Sequence, residues 1–360
     1  MKSTLQRRKL ADCVHSSCEM TVSICPEFFM FMLFRSLLTC SIVIMVLAPL
    51  YAELPAGSYL PRRIVQPGSI ANPAFQFINQ TQVKPGSQEK LAANIVRPRP
   101  GTYPSIIEDK TIVAYYGNPH SRYMGILGET TVDLAIKGVK ETARLYDNAN
   151  GNDGVIPAFH LIYGTVHADA GVGILSDDRI LQYVQAAQAN GMVVVLDHQL
   201  GKYDVASCVK RMLPWLHYPN VHLAIDPEWA TTKPGSEIGS IDASDVNNAM
   251  QLIQDYMIKN NINSRKLFVV HQFQYRMLRN REKIRTDFDR IDFILNADGF
   301  GPPQLKLDTY RYVAAATNMP MKGFKLFFPK PWKSEGFDKP LMSPQEVMDL
   351  NPRPIFINYQ

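Results

Sequence analysis

Residues 221–229 read Val-His-Leu-Ala-Ile-Asp-Pro-Glu-Trp. A short apolar run passes abruptly into acidic residues around a proline. Such a run, closed by turn residues, is the pattern of a strand buried on both faces, as in a parallel sheet. Working outward, the same pattern recurs at Thr111–Gly117, Ala158–Val166, Met192–Asp197, Lys266–Phe273, Ile291–Asp298, Gly323–Phe328 and Pro354–Tyr359. With Val221–Asp226 that makes eight predicted strands.

Helical patterns fill the intervals. They cover Thr131–Asp147, Ser176–Asn190, Asp204–Leu216, Ser244–Asn261, Arg276–Phe288 and Leu307–Asn318, with a last one opening at Ser343-Pro344-Gln345-Glu346. Ser176-Asp177-Asp178 supplies a cap and early negative charge, and Ser343 caps a helix with proline at its first position. Strands alternating with helices imply a parallel sheet with right-handed crossovers. Eight such units match the roughly 250 residues of a (β/α)8 barrel. The expected fold class is therefore α/β, a TIM-like (β/α)8 barrel over residues 110–360. An open doubly wound sheet is the alternative. No GxGxxG or GxxxxGK[ST] follows any strand, so a nucleotide site lacks support.

The residues ahead of the barrel read differently. Ser36–Ala52 carries no charge, follows Arg35, and ends Pro49-Leu50-Tyr51-Ala52 before Glu53. A basic start, a short apolar run and a small residue at the end form a secretory signal peptide pattern. Residues 1–52 are thus expected to be an N-terminal extension and signal, cleaved after Ala52 or retained as an anchor. Residues 53–109, with Pro55, Pro61, Pro67, Pro73, Pro85, Pro98, Pro100 and Pro104, read as an extended arm or linker. Export to the periplasm or the outside follows, with membrane contact only through an uncleaved N-terminal segment.

Composition bounds the function. With 46% apolar and 20% charged residues the 360-residue chain is globular, not disordered. A net charge of +5 without a dense Lys/Arg patch argues against a nucleic-acid partner. The arginines of the 276–288 segment read as one solvated helix face. Of five cysteines only Cys208 lies beyond residue 52, which excludes a disulfide or a CxxC zinc motif in the barrel region.

Barrel active sites form at the C-terminal strand ends, and there the polar residues gather. Strand one ends in Tyr115-Tyr116 before His120, strand two before His167, and strand three in Asp197-His198. Strand four ends in Asp226-Pro227-Glu228-Trp229, strand five in His271-Gln272, and strand six in Asp298; Lys330 and Trp332 follow strand seven. Six of the eight ends carry His, Asp or Glu, after strands with almost no charge. Asp226 and Glu228, two apart, share one side of a strand. Two nearby carboxyls push their pKa values apart, which suits Glu228 as proton donor beside Asp226 as charged stabiliser. Asp197 and Asp298 are candidates to complete the catalytic set. Tyr115, Tyr116, His120, His167, His198, Trp229, His271, Gln272, Lys330 and Trp332 are candidate substrate contacts, the flat rings being suited to sugar faces. No HxH or HExxH spacing is present and no cofactor is expected, with a divalent metal among the His and acidic residues as the alternative. No GxSxG elbow supports a serine nucleophile.

The segments Tyr115-Tyr116-Gly117-Asn118-Pro119, Met124–Gly128, Val221–Trp229, Ile238–Ala243, Val269–Phe273 and Asp298–Gly301 resemble a family of uncharacterised exported bacterial proteins, often labelled lipoproteins. That resemblance spans about residues 111–330 and implies a barrel in the cell envelope. Asp226-Pro227-Glu228 is also similar to the Asp-x-Glu that barrel glycosidases, the chitinases and muramidase-type lysozymes, place at the end of strand four. The chitinase motif's further upstream aspartates are missing from Val221–Ile225, and strand one has tyrosines where the lysozymes use an aspartate. The expectation is a glycosidase-like hydrolase acting on a glycan or cell-wall polymer. A glycan-binding barrel without catalysis, and a metal-dependent hydrolase, are the alternatives.

Overall fold

The structure is a computed structural model and describes residues 96–98, 100–151, 153–330 and 334–360. The signal segment, most of the proline-rich arm and Trp332 lie outside the described residues. Among the described residues no helix is long and apolar enough to cross a membrane.

Eight strands run parallel: β1 (Lys110–Asn118), β2 (Gly154–Val166), β3 (Val193–Gln199), β4 (Val221–Asp226), β5 (Lys266–Gln272), β6 (Ile291–Ala297), β7 (Lys322–Leu326) and β8 (Phe356–Tyr359). Each pairs with the next in chain order. β1 pairs with β2 from Lys110↔Gly154 to Gly117↔Leu161, and with β8 from Ile112↔Phe356 to Tyr115↔Tyr359. The sheet therefore closes on itself. A closed parallel barrel with helices between its strands is a (β/α)8-type fold, and the open-sheet alternative, which needs two free edges, does not hold.

The helices are α1 (Val132–Ala149), α2 (Asp177–Ala189), α3 (Val205–Met212), α4 (Ala243–Lys259), α5 (Pro303–Ala314) and α6 (Pro344–Met348). Thr131, Ser176, Asp204, Asp242 and Ser343 accept a backbone N–H at the helix starts, each cap contributing about 1 kcal/mol.

The helix expected over Arg276–Phe288 is not there. The β5–β6 connection consists of two short 3₁₀ turns, Tyr275–Met277 and Arg281–Lys283, around a two-residue strand, Leu278–Arg279, that pairs with Ile241–Asp242. Asn280 sits at φ 53°, a left-handed conformation that breaks a helix. The side chains take over its role. Arg281 lies 3.8 Å over the Tyr312 ring and donates to Gln272 Oε1 and the Tyr312 carbonyl.

Strand alternation sorts the core into two clusters. Outward residues pack under the helices. Inward ones, among them Ile112, Ala114, Ile156, Ala158, Val193, Val195, Ala224, Leu267, Val269, Ile294 and Phe356, fill the barrel. Its floor is closed by the segment before β1, where Ile107 is fully buried against the inner cluster and Ser105 donates to Asp292, itself paired with Arg265 at 2.7 Å.

Candidate functional site

One step above the inner apolar cluster, the inward position of every strand is polar. Counting by twos from Ala114, Ala158, Val195, Ala224, Val269, Ile294, Gly323 and Phe356 gives Tyr116, His160, Asp197, Asp226, His271, Asn296, Lys325 and Asn358. The strand registers put Tyr116 opposite His160, Asn296 opposite His271 and Lys325 opposite Asn358, and step by two residues at other pairings, where His160 meets Val195, Asp197 meets Ala224 and Asn296 meets Gly323. Gly323 is part of this design. A Cβ there would lie 2.3 Å from Asn296 Oδ1, so glycine makes room for the amide.

Seven of the eight side chains, all but Asp226, form one connected set. Tyr116 donates its hydroxyl to Asp197 Oδ2 at 3.1 Å. His160 Nε2 and His271 Nε2 point at the same oxygen, from 3.7 and 3.6 Å. The other nitrogen of His271 lies 2.9 Å from Asp298 Oδ2, just past the end of β6. Lys325 Nζ reaches that oxygen at 3.0 Å and stands 3.9 Å over the Tyr116 ring. Asn358 links His160 to Asn296, and Asn296 leads back to His271. Asp226 closes β4 and accepts from the Glu228 backbone N–H at 3.1 Å, which tightens the turn Pro227–Trp229 and holds Glu228 at the rim. Beneath the loops, buried Lys306 of α5 donates to the carbonyls of Gly299 and Lys325 and pairs with Asp338, tying the segments after β6 and β7 together.

Electrostatics separates the carboxyls. Burial pushes Glu228 up to about 8 and Asp226 up to about 7, and the neighbouring acids add to both shifts. Burial also raises Asp197, against the pull of His271 and Lys325. Burial opposes ionisation of Asp298 too, but Lys325 and His271 outweigh it and hold that carboxyl well below the usual range. His271 is raised, since Asp197 and Asp298 overcome its burial, whereas burial and the nearby cations drive His160 well below an ordinary imidazole. The layer therefore holds protonated and ionised carboxyls side by side, which is what acid/base chemistry requires.

Of the residues singled out from sequence, Tyr116, Asp197, Asp226, Glu228, His271 and Asp298 come together here. Others point elsewhere because their parity is odd. Tyr115 faces outward and shares a hydrogen bond with Thr142 of α1 at 2.8 Å. His198 packs outside the barrel against the Tyr163 ring, and burial lowers it to about 4. Gln272 contacts the Gln274 carbonyl and Arg281. His120 and His167 are exposed on rim turns, because β2 overshoots the rim to pair with Val172–Ile174 and carries His167 away from the axis. Lys330 pairs with Glu129 at 2.7 Å, and Trp229 is half-buried in the turn beside Glu228. His160, Asn296, Lys325 and Asn358 were missed. Each is a polar residue inside an apolar run at inward parity, a signal that reading only the run ends passes over.

No family model matches the sequence, and a comparison with curated proteins gives no match. Among solved structures, the chain is similar to a chitinase from Rhizomucor miehei at 12% identity, covering 60% of this chain and 68% of that one with a TM-score of 0.37. It is similar to the catalytic domain of a hyperthermophilic chitinase from Pyrococcus furiosus at 12% identity, covering 69% and 83% with a TM-score of 0.40. It is similar also to a 2,3-dimethylmalate lyase of the PEP mutase/isocitrate lyase superfamily at 13% identity, covering 70% and 76% with a TM-score of 0.38. The barrel assignment rests on the strand pairing of this chain itself.

Proposed function

We propose that this chain is an exported barrel hydrolase that cleaves a glycosidic bond in an envelope or extracellular glycan by carboxylate acid/base catalysis. The observation that carries this reading is the placement of Glu228. Asp197, Asp226 and Asp298 are 0%, 2% and 5% exposed, whereas Glu228 is half-buried at the open end of the barrel. It is the carboxyl of the cluster best placed to meet a polymer entering from solvent.

A glycosidase needs a neutral acid to protonate the leaving oxygen and a second group to stabilise positive charge at the sugar carbon. Glu228, with its raised pKa, supplies the proton. Asp298, kept ionised by Lys325 and His271, supplies fixed negative charge nearby, and Asp226 orients the Glu228 turn and faces the same space. Trp229 offers a ring face at the rim for sugar stacking.

The test is release of soluble reducing ends from purified peptidoglycan and a polysaccharide panel, with the Glu228→Gln variant run in parallel. Loss of a general acid lowers turnover by about 10²–10⁴-fold. Equal release by parent and variant would remove Glu228 from the mechanism. Saturable binding with no product from either protein would replace the hydrolase reading with a glycan-binding barrel.

A further inference from the structure

We infer that His160, Asp197 and His271 form a binding site for one divalent transition-metal ion of the zinc class. The site sits deeper than Glu228, and the inference goes beyond the glycosidic reading and does not depend on it.

Three buried atoms of this cluster have no hydrogen-bond partner, His160 Nε2, His271 Nε2 and Asp197 Oδ1, and both nitrogens face the other oxygen of the same carboxylate, Asp197 Oδ2. All three residues are fully buried. An unsatisfied buried polar atom costs about 1–3 kcal/mol, so two orphaned imidazole nitrogens facing one carboxylate call for an occupant. The spacing fits a metal. The two Nε2 atoms lie 3.7 and 3.6 Å from Asp197 Oδ2, too far for hydrogen bonds, and one ligand atom from each residue falls within 4.8 Å of the others. Ligands at the zinc distance of about 2.0–2.1 Å in tetrahedral array stand roughly 3.3–3.4 Å from one another. Two imidazoles and one carboxylate form a donor set suited to zinc or a neighbouring first-row metal.

The far side of each imidazole is anchored, as metal-binding histidines require. His271 Nδ1 is placed to donate to Asp298 Oδ2 at 2.9 Å. His160 Nδ1 faces the Asn358 amide at 3.2 Å. Amide orientation follows from hydrogen-bond logic. Asn296 Oδ1 has no partner, while Asn296 Nδ2 faces His271 Nδ1, so two donors meet. Turning both carboxamides by 180° resolves this. Asn296 Oδ1 then accepts from Asn358 Nδ2, and Asn358 Oδ1 accepts from His160 Nδ1–H. Both histidines then carry their proton on Nδ1 and aim the Nε2 lone pair toward Asp197. Two imidazole lone pairs aimed at one carboxylate oxygen repel it and each other, and a cation among them removes the repulsion.

The full chain, stripped with chelator and dialysed, is titrated with Zn²⁺ and assayed for bound metal. One equivalent per chain is expected, with a rise in thermal midpoint. Asp298→Asn should weaken binding by about 10–100-fold through loss of the His271 anchor. His160→Gln and Asp197→Asn should abolish stoichiometric uptake, whereas His167→Gln, on its exposed turn, should bind as the parent does. X-ray absorption at the zinc edge of the loaded parent should count two imidazole ligands and no sulfur, a result independent of any variant's folding. Absence of stoichiometric zinc uptake would mean that a proton on His271 occupies the centre and would overturn the inference. Uptake that survives His160→Gln in a folded variant, or fewer than two imidazoles in the absorption spectrum, would overturn it as well.

Discussion

The Lys325–Asp298 pair offers the sharpest test of the buried layer. Their side chains are 4% and 6% exposed and meet at 3.0 Å, while Asp298 also receives His271 at 2.9 Å. Asp298→Asn preserves shape and removes charge. It leaves the Lys325 ammonium enclosed by the Tyr116 and Phe327 rings at 3.9 and 5.1 Å, without the carboxylate that offsets its desolvation. Breaking a buried pair by removing one partner costs about 3–5 kcal/mol. For a domain of this size each kcal/mol moves the thermal midpoint by about 2–4 °C, so a fall of about 6–20 °C is expected. The assay is urea unfolding of chelator-treated protein at pH 7, completed as a double-mutant cycle with Lys325→Met. The double variant, which has neither charge of this pair, should be more stable than the two single losses predict, by about 0.5–3 kcal/mol. A cost under about 1 kcal/mol for Asp298→Asn, the range of exposed pairs, would refute the enclosed geometry, as would strict additivity in the cycle.

Four further outcomes follow from the same structure. Because Glu228 must be protonated to act and its pKa is raised to about 8, kcat/KM should fall about tenfold per pH unit above that value, and a flat profile to pH 10 would remove it as the acid. The same group bears on stability. Its folded pKa, about 8, exceeds its ordinary 4.5, so its contribution is complete below pH 4.5 and is lost as pH rises towards 8. Glu228→Gln should therefore gain on the parent in denaturant midpoint between pH 5 and 8, and a constant difference would show that the carboxyl is not perturbed. Gly323→Ala places a methyl 2.3 Å from Asn296 Oδ1 and should destabilise by about 1–3 kcal/mol in thermal unfolding; an unchanged midpoint would show that the amide is not seated there. Under the proposed export, amino-terminal sequencing of the mature protein should begin at Glu53, and a start ahead of Ser36 in a membrane fraction would indicate a retained anchor.

How much of this was legible beforehand can be followed residue by residue. The eight apolar runs are visible because parallel strands buried on both faces must be apolar nearly throughout. The β5–β6 helix was misread because Arg276–Phe288 has helix-forming side chains, while Asn280 and the Arg281–Tyr312 stack, both tertiary choices, leave it as turns. The site was half legible. Asp226 and Glu228 stand out by chemistry alone. Tyr115, His198 and Gln272 did not belong with them, because adjacent strand residues face opposite sides and the run ends do not reveal which parity is inward. His160 stayed hidden for a different reason. β2 is 13 residues long, and its apparent end at His167 lies past the rim, well beyond the level at which Tyr116 faces His160.

The inward parity of the upper layer also separates function from stability. A barrel assembled for stability alone continues its apolar layers to the top, because enclosed polar groups cost free energy unless fully paired. Here all eight inward positions of the upper layer are polar, and Asn296, Asn358, His160, His271 and Asp197 are fully buried. Part of that layer pairs internally, through Asp298 with Lys325 and His271, and Tyr116 with Asp197. The remainder does not: His160 Nε2 and His271 Nε2 have no partner and face the Asp197 carboxylate together, and Glu228 is half-buried just past the end of β4. The internally paired groups fix the rings and carboxylates in place. The unpaired ones are left with capacity for something from outside the chain. Under the proposed function, that division assigns the chemistry of this barrel to its axis and rim, with His198 and Tyr115 belonging to the wall that supports it.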